Sequence, residues 1–189
     1  MEDQVLQLEA QAAYPFVASP NMTRTNGRRI DVVVIHTMEN DETRRSAEAC
    51  AQWFADPRAR VSAHYCVDDD SIAQCVREQD VAWHAPGANH NGIGVEHAGR
   101  ASQTAAQWAD DYSSAMLARS ARLVADICRR HSIPVTWLEP PDLLAGTRGI
   151  TSHANVTAAF RVGSHWDPGP AFPVARYLAA VRASARRAT

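Results

Sequence analysis

The chain has 189 residues, of which 46% are hydrophobic and 21% charged, the balance of a globular protein with room for one substantial core. A formal net charge of −2 gives no electrostatic reason to bind nucleic acid or an anionic membrane, and no stretch approaches the ~20 apolar residues that would cross a bilayer. Lysine does not occur, so every basic residue is an arginine and no lysine can serve in catalysis.

Residues 1–29 read as an irregular leader. Their start is acidic and mixed, without the basic and apolar regions of a signal peptide, and turn formers follow at Ser19-Pro20-Asn21 and Asn26-Gly27. A single domain is expected over 30–185. It opens with Ile30 to His36, a β-branched run suited to a strand covered on both faces. From Asp41 to Phe54 the pattern turns helical, and Asp56-Pro57 ends it. Ala63 to Val67 and Ser71 to Val76 predict two short strands joined by Asp68-Asp69-Asp70. That turn has neither the ligand spacing nor the central glycine of an EF-hand loop, and reads as solvated. Gly92 to His97 predicts another buried strand, and Thr104 to His131 a long amphipathic helix. Pro134, Pro140 and Pro141 mark a loop, Ile150 to His153 approaches a site, and a last helix starts near Pro173. Strands that alternate with helices define a single α/β domain. The four cysteines form no CxxC pair and read as buried thiols, although Cys66 and Cys75 lie at the ends of the predicted hairpin.

Three residues have contexts that suit a catalytic metal, which takes three protein ligands and leaves one position open. His36 ends a hydrophobic strand, His153 lies in TSHANV beyond two glycines, and Asp167 lies in HWDPGP between proline-restricted residues. Spacing alone leaves this trio suggestive.

The segments VVIHTMEN, SAHYCVDDDSIAQCV, VAWHAPGANHNGIGVEHAG, TSHANV and HWDPGPAFP occur in this order between Ile30 and Leu178. In these motifs the chain resembles the zinc-dependent N-acetylmuramoyl-L-alanine amidases, the type that includes phage endolysins and peptidoglycan recognition proteins. The resemblance implies a central mixed β-sheet flanked by helices, with 30–185 as the catalytic domain. It implies one zinc ion on His36, His153 and Asp167, and a bacterial peptidoglycan substrate. Glu96 matches the family's carboxylate beside the zinc-bound water, where it can accept and return a proton. His165 matches a position of lysine or histidine that can stabilise an oxyanion, and Tyr65 an aromatic position near the metal. His84 and Asn89 fall where the family lines its substrate groove. Trp83 is expected in the core, and His64, His90, His97 and His131 are read as structural or surface residues.

An intact ligand set favours an enzyme over a module that binds peptidoglycan without cutting it. Without a recognised export signal or wall-binding module, a phage or prophage endolysin is expected, made in the cytoplasm and acting on the wall after release. A cytoplasmic amidase that recycles muropeptides is the alternative. A monomer is expected.

Overall fold

The computed structural model describes residues 14–187. Its centre is a five-stranded sheet in the order β4-β3-β6-β2-β7, formed by β2 (Val32–Thr37), β3 (Tyr65–Val67), β4 (Ile72–Gln74), β6 (Gly92–His97) and β7 (Gly149–Ser152). A separate antiparallel pair joins β1 (Met22–Thr23) to β5 (Val81–Ala82). Strand β2 runs parallel to β6 and to β7, β3 runs parallel to β6, and only β4 is antiparallel to its neighbour. The sheet is therefore mixed. Every residue of β2 is buried, as its unbroken β-branched run requires of a strand covered on both faces.

Alternation along β2 divides the core. Val33 and Ile35 face a large cluster with α2 (Asp111–Arg130) and α5 (Val174–Arg187), where Trp108, Met116, Leu123, Ile127 and Tyr177 are fully buried. Each such side chain contributes about 1.5–3 kcal/mol relative to exposure. Val32 and Val34 face the other way. They pack beneath α3 (Pro140–Leu144) and α4 (His153–Phe160), beside a third cluster in which α1 (Ser46–Ala55) lays Ala47, Cys50 and Phe54 over Cys66 and Cys75. His36 continues the series of Val32 and Val34, so it lies on this second face.

Several local features depart from the expected pattern. The long helix begins only at Asp111, because the extended Asp110 caps it by accepting from the Ser113 amide at 2.8 Å; a short 3-10 turn precedes it. Pro140 and Pro141 open a helix instead of marking a loop: proline is tolerated in a first turn, and Asp142 accepts from the Glu139 amide at 2.9 Å. The leader, as far as it is described, is attached to the sheet. Val17 and Ser19 donate to the Gln74 and Cys75 carbonyls, and Gln74 donates to Pro15, all at 2.9 Å. In the acidic turn, Asp68 is spent on structure: one carboxylate oxygen accepts from Asp70 and Ser71, the other from the Ala47 amide at the start of α1 at 3.0 Å. All four cysteines are buried thiols, with Cys66 and Cys75 Sγ 3.8 Å apart.

One buried charge ties the large core to the rest. Glu78 is 1% exposed and accepts from Tyr65 at 2.8 Å, Arg130 at 2.5 Å and His131 at 2.6 Å. Burial opposes its ionisation, yet hydrogen bonds from His131 and Arg130, with the arginine's charge, hold its pKa down to about 2. A depressed carboxylate stabilises the fold above its unfolded pKa and loses that contribution as pH falls. The thermal midpoint should therefore drop between about pH 4.5 and pH 2 in wild type, and much less steeply in Glu78→Gln. At neutral pH Glu78→Gln, which leaves the half-buried Arg130 guanidinium without its anion, should cost about 2–4 kcal/mol in denaturant titration.

Candidate active site

The site lies at the carboxyl ends of the parallel strands, where side chains leave rigid elements and meet open space. The register of β2 with β6 sets His36 directly beside Glu96, one strand spacing away on the same face. Strand β7 delivers His153 as the first residue of α4, whose cap is Ser152 accepting from Asn155 at 3.1 Å. Asp167 arrives from the loop after α4, and its carbonyl accepts from the Ala154 amide at 2.9 Å. That loop is seated by Gly169, at φ 88°, where an added Cβ would stand 1.8 Å from the Ala101 carbonyl oxygen.

Here the three expected ligands meet. His36 Nδ1 lies 3.2 Å from one Asp167 carboxylate oxygen and His153 Nδ1 3.2 Å from the other. Burial lowers the His36 pKa to about 4, with His153 adding to the effect and Asp167 opposing it, so this imidazole is neutral at physiological pH. Burial works against the Asp167 carboxylate, but hydrogen bonding to His153 and His36 holds it well below the usual range. Two imidazoles and an ionised carboxylate, with donor atoms all within 4.8 Å of one another, are a donor set that suits catalytic zinc.

Glu96 has one carboxylate oxygen, Oε2, buried without a partner. Burial pushes its carboxyl well above the ordinary range, and nearby Cys50 and Asp167 add to this. His165 lies on the open side, exposed, with its ring stacked on that of His153 at 4.1 Å between centroids. Partial burial lowers its pKa, and the neighbouring His153 adds to this while Asp167 opposes it. These groups line a cleft of about 400 Å³.

Tyr65 is not part of this cleft. It is adjacent to Cys66 in β3, and alternation sends its ring to the opposite face of the sheet, into the large core, where its hydroxyl donates to Glu78. His84 and Asn89 do line the cleft, but protein groups engage His84 Nδ1 and Asn89 Oδ1. Asn89 Oδ1 accepts from the His84 and Ala85 amides at 3.0 and 2.6 Å, and His84 Nδ1 lies 3.1 Å from His36 Nε2. Trp83, expected in the core, is 37% exposed and forms a wall of the cleft with Trp53 and Val61. Arg60 is the only guanidinium on that wall among the described residues. Nothing in the sequence marks Trp53, Arg60 and Val61, because only the assembled cleft shows which surface residues share it.

His64 and His97 are structural, as expected. His64 Nδ1 accepts from the Gly94 amide at 3.0 Å. His97, on the core face, has Nδ1 3.0 Å from the His36 carbonyl oxygen, which can only accept, so Nδ1 donates. Its Nε2 then accepts from Ser120 at 2.6 Å, and Ser120 meets Tyr177 at 2.7 Å. The main chain of His36 is thereby held from behind the sheet.

A buried centre of two imidazoles and a carboxylate, with a desolvated glutamate beside it, has the donor set that a hydrolytic metal site would use. Residues 26–170 match the family model described as N-acetylmuramoyl-L-alanine amidase. Over 173 residues the chain is 35% identical to N-acetylmuramoyl-L-alanine amidase A of Achromobacter lyticus, covering 85% of this chain and 88% of that protein. Among solved structures, the selenomethionine derivative of AmpD superposes with a TM-score of 0.65 at 23% identity over 90% of this chain and 95% of that one. The catalytic domain of XlyA gives 0.63 at 18% identity over 89% and 98%. At these identities the two structures speak for the fold. The chain belongs to the N-acetylmuramoyl-L-alanine amidase family and is an amidase acting on peptidoglycan.

Glu96→Gln removes an ionisable group from surroundings that disfavour charge. It should melt no lower than wild type while slowing stem-peptide release by about 100- to 10,000-fold. Thermal unfolding and a timed peptidoglycan digest measure the two effects, and a stable variant of full activity would remove Glu96 from the chemistry.

Proposed function

We propose that the chain cleaves the amide bond between N-acetylmuramic acid and the first L-alanine of the stem peptide with one zinc ion held by His36, His153 and Asp167. The observation that carries this reading is the meeting of both Nδ1 atoms at the two oxygens of one buried carboxylate. Bound there, zinc would supply Lewis acidity towards the scissile carbonyl and lower the pKa of a coordinated water from ~16 towards ~7. Glu96 takes the proton of the attacking water and returns it to the amine nitrogen as the C–N bond breaks. The same desolvation that raises its pKa makes the carboxylate a stronger acceptor for the water's proton. His165 donates a hydrogen bond to the oxyanion that forms on the substrate carbonyl. The walls suit a substrate that is part glycan and part acidic peptide: indole faces at Trp53 and Trp83 offer stacking surfaces, and Arg60 a partner for stem-peptide carboxylates.

We assign the chain to cell-wall lysis as a phage or prophage endolysin acting as a monomer on the wall after release from the cytoplasm. The exposed aromatic wall supports a long substrate better than a small soluble one.

Stripping the protein with a chelator should abolish the appearance of stem peptides that begin with L-alanine in mass spectra of digested peptidoglycan. Zinc should restore it for wild type and not for Asp167→Ala. Persistence of full activity in fully stripped protein would end the metal reading. Intact sacculi should be cleaved faster than soluble anhydro-muropeptides; the reverse preference would make the chain a recycling enzyme instead.

A further inference from the structure

His36 has two ring nitrogens, and they face different partners. Nδ1 is turned to Asp167, while Nε2 meets Nδ1 of His84 at 3.1 Å, with the two rings edge to face. If Nδ1 gives its lone pair to a metal, a neutral imidazole must carry its proton on Nε2. That proton then has one acceptor in reach, His84 Nδ1, and His84 can accept only with its own proton on Nε2.

The surroundings of His84 hold it in this role. Its ring lies on the bare backbone of β6: a Cβ at Gly94 would stand 2.7 Å from the ring's Cγ and 2.8 Å from Nδ1, and one at Gly92 would stand 3.3 Å from Cε1. Asn89 clamps the His84 amide at 3.0 Å, and the His64 ring stands edge-on behind it at 5.7 Å between centroids. Its remaining nitrogen, Nε2, is buried without a protein partner, so no other group draws the proton to Nδ1.

We propose that His84 is a positioning residue that fixes the tautomer and ring orientation of the metal ligand His36, in place of the substrate-binding role its motif suggests. This rests on the zinc reading above. Outer hydrogen bonds of this kind raise the basicity of a ligating imidazole and are typically worth 10- to 100-fold in metal affinity.

The test is zinc affinity, measured by competition with a chromophoric chelator on wild type, His84→Ala, His84→Asn and Gly94→Ala. His84→Ala should bind zinc about 10- to 100-fold more weakly. His84→Asn, which returns an acceptor close to the position of Nδ1, should recover most of that loss. Gly94→Ala, which keeps His84 but pushes its ring off β6, should weaken binding in the same sense. At saturating zinc the kcat of all three should fall far less than the affinity does. Long-range 1H–15N spectra of zinc-loaded wild type should show His36 protonated at Nε2, with that proton slow to exchange. If wild type binds zinc tightly and Gly94→Ala and His84→Ala bind equally well, this inference fails and the zinc reading stands. A His36 protonated at Nδ1 in the loaded protein overturns it too. If wild type binds no zinc, both readings fall together. Should His84→Ala not fold, as circular dichroism would show, the comparison of Gly94→Ala with His84→Asn decides the matter.

Discussion

The parallel register between β2 and β6 is the constraint from which the site follows. It pairs Val32 with Gly92 and continues in step to His36 with Glu96, so an imidazole and a carboxyl emerge side by side from the middle of a sheet. A slip of one residue would send one of them to the opposite face. The register is secured by burial on both sides of β2, since Val33 and Ile35 belong to one core and Val32 and Val34 to another. The same strand pairs with β7 and so places the residue that follows Ser152. Two elements thus inherit their positions from one central strand, and only Asp167 must be brought in by a loop.

His36 is held from three directions. Its main chain is bonded from the core face through the chain of Tyr177, Ser120 and His97, its Nδ1 faces Asp167, and its Nε2 faces His84. Such over-determination leaves little side-chain freedom to lose when a ligand is bound, which is how a scaffold keeps a centre ready for chemistry. The cost appears as polar atoms buried without partners, Glu96 Oε2, His84 Nε2 and His153 Nε2 among them, and these cluster at the centre itself.

Much of this was legible in the chain. The run from Ile30 to His36 announced a doubly covered strand, and the motifs around His36, Glu96, His153 and Asp167 pointed to groups that do meet. Tyr65 lies away from the cleft that its motif suggests, because a motif fixes position along the chain but not which face of a sheet a strand residue takes. That depends on the pairing of Cys66 with Glu96, a long-range fact. The same limit applied to His84, whose hydrogen bond to His36 spans 48 residues. Trp53, Val61 and Arg60 carry no local mark at all. The helix at Pro140 has no unambiguous sequence mark, since two prolines read equally well as a loop or as a first helical turn.

The attachment of the leader has a consequence beyond the site. Strand β4 lies at an edge of the sheet, and the segment from Pro15 to Ser19 bonds to its end, at Gln74 and the following Cys75. At the far side Leu138 and Thr136 exchange main-chain bonds with Ile150 and so shield β7. Each rim of the sheet is therefore covered in part by one of the chain's own irregular segments. A copy of the protein that paired with either edge at these positions would first have to peel the segment away, which opposes edge-to-edge aggregation when the concentration is high.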